Sequence, residues 1–277
     1  MILKASTLIC MGNKYLVMLF LVLLNFGFSA NDKHKRKFTP PGTVEISENL
    51  FFDETEIANI HWLEYTYWLK RTCGDTSKDY YSSLPDTSIW LPNYEVYTKH
   101  YFDHPAYHFY PMVGISYEQA VEYCKWRTDR VREMLEMKKL RKPKTYIPKQ
   151  FQYRLPTKKE WEMVANAGYS EKTLKWMKRA KSKSSSFATF NCIREDESID
   201  STYSYSFITA PVKSYWANRY EIFNLLGNVA EMINEKGIAK GGGWTHKLKE
   251  IKIENDFIYD KPENWLGFRC VFEIIEE

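Results

Sequence analysis

The stretch Pro111-Met-Val-Gly-Ile-Ser-Tyr-Glu-Gln-Ala-Val-Glu-Tyr-Cys-Lys-Trp126 sets the reading of this chain. Ser116 followed three residues later by Gln119 is a capping-box pattern, in which two side chains satisfy two orphan amides at a helix start. A helix therefore begins at Tyr117. Ala120, Tyr123, Cys124, Arg127 and Val131 share one side of it at helical spacing, and the pattern runs toward Leu140 until Pro143 stops it. Thr157 with Glu160 repeats the box and predicts a second helix from Lys158 to about Ala167, ended by Gly168. Asp53 with Glu56 has the same spacing, with Asp in place of a hydroxyl. It predicts a third helix running to about Lys70, with Ile57, Ile60, Leu63, Tyr67 and Trp68 at helical spacing.

Between these helices lie short strands and loops rich in Pro, Tyr, Asn and Asp. The Lys- and Ser-rich stretch from Lys175 to Ser186 reads as an exposed insertion rather than a charged binding face. No internal repeat is visible. Among 277 residues, 44% hydrophobic and 16% aromatic content excludes a disordered chain and suits a loop-rich fold packed by amphipathic rings. The formal charge of +4 is small and the two signs are interleaved, so nucleic acid is not an expected partner.

Lys14 precedes an apolar run from Tyr15 to Leu24, and small residues follow near Ser29 and Ala30. That layout predicts a signal peptide over 1–30, a flexible basic leader over 31–39, and one domain over 40–277. An uncleaved membrane anchor is the alternative, although the run falls short of the roughly 20 apolar residues that a span needs. No Cys closes the run, so a lipoprotein anchor is not supported. Export to a periplasmic, cell-envelope or secreted location is the expectation. Beyond Cys10, four cysteines remain: Cys73, Cys124, Cys192 and Cys270. In an oxidising compartment they allow two bridges in three connectivities, and the alternative is buried unpaired thiols, since a domain of this size does not need disulfides to fold.

Four segments, in order, resemble the sulfatase-modifying-factor (formylglycine-generating-enzyme-like) family. The 111–126 stretch is similar to its "P-V-x-x-V-S-W-x-x-A-x-x-Y-C-x-W" helix, and Arg154-Leu-Pro-Thr-Lys-Lys-Glu-Trp-Glu162 to "R-L-P-T-E-A-E-W-E". Asn224-Leu-Leu-Gly-Asn-Val-Ala-Glu231 resembles "G-N-V-W-E-W" with its leader. Gly241-Gly-Gly-Trp244 with Leu266-Gly-Phe-Arg-Cys270 resembles "G-G-S-W … G-F-R". Thr55-Glu-Ile57 resembles the family's "E-V-T-N" entry segment loosely. The resemblance implies an α+β fold related to C-type lectins, with much irregular loop structure.

Family oxidases convert a client cysteine to formylglycine with O₂ and Cu(I), held by a Cys-x4-Cys pair after "G-G-S-W/Y". Matching on Gly241–Trp244 puts His246 and Ile251 at those positions, and Gly243 replaces the family serine. Copper is therefore not expected. An isoleucine ligates no metal, and a lone His such as His246 is more often a hydrogen-bonded structural residue. Cys124 and Cys270 match cysteines that are structural in some members. The resemblance also implies a structural calcium site on the Asn224 and Glu231 side chains and the Gly227 and Val229 carbonyls, hard oxygen donors of the type Ca²⁺ selects. The alternative is a plain turn at Gly227-Asn228. A second calcium site would use Asn191 and an acid such as Asp200.

Ala230 and Met232 replace the two Trp of "W-E-W", leaving a less aromatic surface there. Arg154 and Arg269 read as structural donors. Glu160 and Glu162 sit two apart on a helix and do not converge as an acid and base pair. The chain is thus expected to be a non-catalytic binding or structural module of the cell envelope, with a protein or glycan partner. The alternative is a formylglycine-generating-type oxidase, or another metal-dependent oxidoreductase acting on a protein thiol.

Overall fold

The computed structural model describes residues 39–144, 146–183, 190–193 and 208–276, without the side chains of residues 180–183. All of these belong to one compact unit, Phe38–Glu277. The predicted signal peptide, nearly all of the leader, and Asp200 lie outside the described residues.

Two small sheets organise the chain. In the first, β1 (Thr43–Ser47), β2 (Leu50–Asp53), β8 (Val271–Glu276) and β3 (Gln150–Arg154) lie in that order, all antiparallel. In the second, β6 (Phe257–Ile258), β5 (Ile238–Lys240), β4 (Ala230–Met232) and β7 (Leu266–Phe268) lie in order, with β4 and β7 parallel. Only Arg269 and Cys270 separate β7 from β8, so the step between sheets buries both side chains completely. Residues 208–229 form no helix or strand.

Helix α1 (Asn59–Cys73) packs on α4 (Tyr117–Arg141) through rings. Trp62 stacks on Tyr123 at 5.3 Å between centroids, and Phe268 of β7 meets both edge-on. Such aromatic pairs add about 0.5–1.5 kcal/mol each beyond area burial. Two shorter helices, α2 (Lys78–Ser83) and α3 (Glu95–His100), lie between α1 and α4 in sequence. The Ser116 capping box forms as read: its Oγ accepts from the Gln119 amide, and Gln119 Oε1 accepts from the Ser116 amide at 2.7 Å. The Thr157 box starts α5 (Lys158–Ala165) in the same way, with Gly168 beyond it at φ +65°.

The Asp53 box does not form. Asp53 ends β2, and its carboxylate accepts from both terminal nitrogens of Arg127 at 2.7 and 2.8 Å and from the Cys270 amide at 2.9 Å. Glu56 turns into the core with no exposed surface. The helix starts later, at Asn59, where the Ala58 amide donates to His61 Nδ1. Distant partners claim both carboxylates, and the pairing of β2 with β8 holds the preceding residues extended. The described part of the Lys-rich stretch is exposed, except for half-buried Met177, and is helical: helix α6 covers Glu171–Lys183, and residues 184–186 lie outside the described residues. Among the described residues, no helix is long and apolar enough to cross a membrane.

Candidate functional site

Two neighbouring turns gather the residues that the sequence singles out. In the first, Asn224, Gly227 and Asn228 all adopt positive φ, +52°, +77° and +64°. Gly227 tolerates no side chain, since a Cβ there would lie 2.8 Å from the Phe190 Cβ and 2.9 Å from the Asn191 carbonyl oxygen. The Gly227 amide donates to the Gly241 carbonyl, which ties this turn to the next one.

Glu56 anchors the first turn from beneath. Asn228 Nδ2 donates to its Oε1 at 2.8 Å and Asn224 Nδ2 to its Oε2 at 3.3 Å. Burial outweighs the nearby Arg269 charge and pushes the Glu56 carboxyl up to about 8. Asn224 Nδ2 also donates to the Val212 carbonyl, so its Oδ1 faces away from both acceptors. That oxygen is buried with no hydrogen-bond donor. Asn191 is buried beside the turn, donating to the Ile208 carbonyl and to Asn228 Oδ1.

Glu231 lies at the centre of β4. Arg269 Nη2 donates to its Oε1 at 2.5 Å, while Arg269 Nε and Trp161 Nε1 donate to its Oε2 at 2.7 and 2.8 Å. Both partners of the ion pair are wholly buried. The two side chains matched to calcium thus divide. The Asn224 oxygen is an acceptor awaiting a partner, as a hard-cation ligand would be, whereas the Glu231 carboxylate is already neutralised by a guanidinium. Among the described residues, no group of three or more His, Cys, Asp and Glu side chains is arranged to hold a metal.

The second turn carries the positions matched to copper. Ile251 is buried, and its Cδ1 fills the space over Gly242, where a Cβ would lie only 2.4 Å away. His246 Nδ1 accepts from the Gly243 amide at 3.0 Å. Its ring sits edge-on against Phe257 and Trp265, at centroid distances of 4.4 and 4.9 Å, and burial lowers its pKa. A Cβ on Gly243 would meet the Trp265 carbonyl at 3.0 Å, so the family serine would need its neighbours to give. Trp244 packs into the Trp90–Tyr94 cluster and donates to the Asn264 carbonyl.

The cysteines lie elsewhere, with one adjacency. Cys124 and Cys270 are buried together, Cys73 is exposed and Cys192 is half-buried. The Ile193 amide donates to the His246 carbonyl, so the Cys192 segment runs beside the second turn.

A family model for the sulfatase-modifying factor enzyme 1-like domain matches residues 19–274. The chain belongs to this family. It is 24% identical over 195 residues to the formylglycine-generating enzyme of Bos taurus, a match covering 61% of this chain and 44% of that protein. It is 26% identical over 188 residues to that of Mus musculus, covering 58% and 44%. This sulfatase-modifying-factor-like chain therefore spans less than half the length of the curated relatives it matches. The crystal structure of CarF superposes with a TM-score of 0.50 at 16% identity, over 81% of this chain and 86% of that one. At that identity the likeness concerns the fold alone, which is the α+β, formylglycine-generating-enzyme-like one.

Sequence reasoning placed Arg154 and Arg269 as structural donors, and both act so here: Arg154 pairs with Glu160 and Glu273. Glu162 does not face Glu160 but pairs with Lys240, a fully buried lysine that also meets Asp256. Glu56 and Asn228 were missed as parts of the site. Glu56 has the capping-box spacing from Asp53, and nothing near it in sequence announces partners 168 and 172 residues away.

Proposed function

We propose that this sulfatase-modifying-factor-like chain is exported and serves as a binding or structural module rather than an oxidase. The observation that carries this reading is the buried Ile251 side chain packed over Gly242, at a position where the family's copper chemistry needs a thiolate. His246 does not compensate, because its Nδ1 already takes the Gly243 amide and its ring is wedged between two aromatic side chains. A protein or glycan is the proposed partner. A cleft of about 520 Å³ between α1, α4 and the β2–α1 loop is the place proposed for it, with Trp126, Arg130 and Glu64 on its walls. Calcium at the Asn224–Glu231 turn belongs to the same reading. The Asn224 oxygen supports it, and the Glu231–Arg269 ion pair weighs against a full set of four ligands.

The test is copper binding and copper-dependent O₂ consumption by the purified chain with a cysteine peptide as substrate. No Cu(I) uptake and no O₂ consumption is the expected result; turnover would overturn the reading. The second reading, oxidation by another route, draws on the Cys192 segment lying beside His246. If turnover occurs, His246→Ala and Cys192→Ser identify the groups responsible.

A further inference from the structure

Beside the first turn lies a cavity of about 170 Å³ that shares no wall residue with the α1–α4 cleft. Its walls come from residues 165–169, 190, 215–226 and 253. Ile222 and Leu225 are buried and belong to the core cluster of Trp161 and Val164, which fixes that side of the cavity. Four half-buried rings complete it: Tyr169, Phe190, Tyr215 and Trp216. Burial raises the pKa of Tyr169 and of Tyr215, as surroundings poor in water do.

The amide side chains in the wall are already engaged. Asn218 Nδ2 donates to the Val164 carbonyl, and Asn218 Oδ1 accepts from the Tyr220 and Ile222 amides. Asn224 keeps only the orphaned oxygen considered above for calcium. Tyr215, in contrast, is held in place under strain. Its φ of +57° lies in the left-handed region, which a bulky side chain occupies only where the surrounding structure imposes it. Strain of this kind collects at ligand clamps, and here it fixes a ring on the cavity wall.

We propose that this cavity binds a single aromatic ring, carried by a small molecule or by a side chain of a partner protein. An apolar cavity of roughly 150 Å³ is large enough to take up benzene, and contacts of ring with ring add to the gain from buried area. A sugar of the same size would have to satisfy several hydroxyls against a wall whose amides are committed. The site stands whether or not the chain oxidises thiols.

The experiment is a titration of the full chain with para-fluorotoluene, followed by fluorine NMR. Saturable binding is expected, with no displacement by methyl glucoside. Ala165→Leu narrows the cavity, and Tyr215→Gly removes one ring at a backbone position that glycine adopts freely. Each should weaken binding roughly three- to tenfold. A cooperative melting transition certifies the fold of each variant, and either one suffices for the comparison. Acetyl-para-fluorophenylalanine amide binding as well as fluorotoluene assigns the site to a side chain of a partner, and binding of fluorotoluene alone assigns it to a small molecule. No saturable binding by the wild type, equal affinity of the wild type and both variants, or displacement by methyl glucoside overturns the proposal.

Discussion

The Sγ atoms of Cys124 and Cys270 lie 3.5 Å apart, where α4 meets the two-residue step that leads from β7 into β8 of the first sheet. They are 146 residues apart in sequence, and both are buried. Protein refolded in oxidised glutathione should yield a linked Cys124–Cys270 peptide on non-reducing digestion. Loss of that link in Cys124→Ser should cost about 2–4 kcal/mol under oxidising conditions. Burial holds the Cys270 thiol well above its ordinary pKa, so protein folded under reductant should keep both thiols silent to a thiol reagent until denatured. Immediate labelling of Cys124 and Cys270 in the native state would contradict the burial.

Breaking the Glu231–Arg269 pair should be among the costliest single changes. Arg269→Met leaves a carboxylate without its counter-charge in the core, for an expected loss of about 3–5 kcal/mol in chemical denaturation. Arg154→Met, at a partly buried pair, should cost less than half as much.

Glu56 should make stability depend on pH. Its folded pKa of about 8 lies above the ordinary 4.5, so folding takes up a proton between those values. The stabilisation from the protonated carboxyl is complete below about 4.5 and is lost as pH rises through about 8. His61 and His246, lowered by burial, act in the opposite sense by losing stability as pH falls below their ordinary 6.5. The difference between wild type and Glu56→Gln isolates the carboxyl. The variant should gain relative stability steadily from pH 5 to pH 8, and a flat difference would show that Glu56 is ionised throughout.

Calcium should raise the melting temperature of the chelator-treated protein if the Asn224 oxygen is a ligand. Asn224→Ala should remove that response while costing about 1–2 kcal/mol for the lost hydrogen bonds to Val212 and Glu56. An unchanged melting temperature in excess calcium assigns Gly227-Asn228 to a plain turn.

The features that sequence alone determined are those closed within a few residues. The Ser116–Gln119 and Thr157–Glu160 boxes are bonds between side chains and amides three positions apart, so their pattern implies their geometry. The family likewise rests on ordered local segments, and the absence of any cysteine between Cys192 and Cys270 is a matter of residue identity. Tertiary structure decided what buried carboxylates do. Asp53 and Glu56 carry the same spacing as the two true boxes, yet Arg127 claims the first from 74 residues away and Asn228 the second from 172. It also decided that Glu231 answers Arg269, that Asn224 is left with an orphaned oxygen, and that a Lys-rich stretch becomes a helix with exposed Trp and Leu at its edges. A polar or charged group desolvated in the core must find a partner wherever the fold brings one, and a local pattern carries no information about which distant segment that will be.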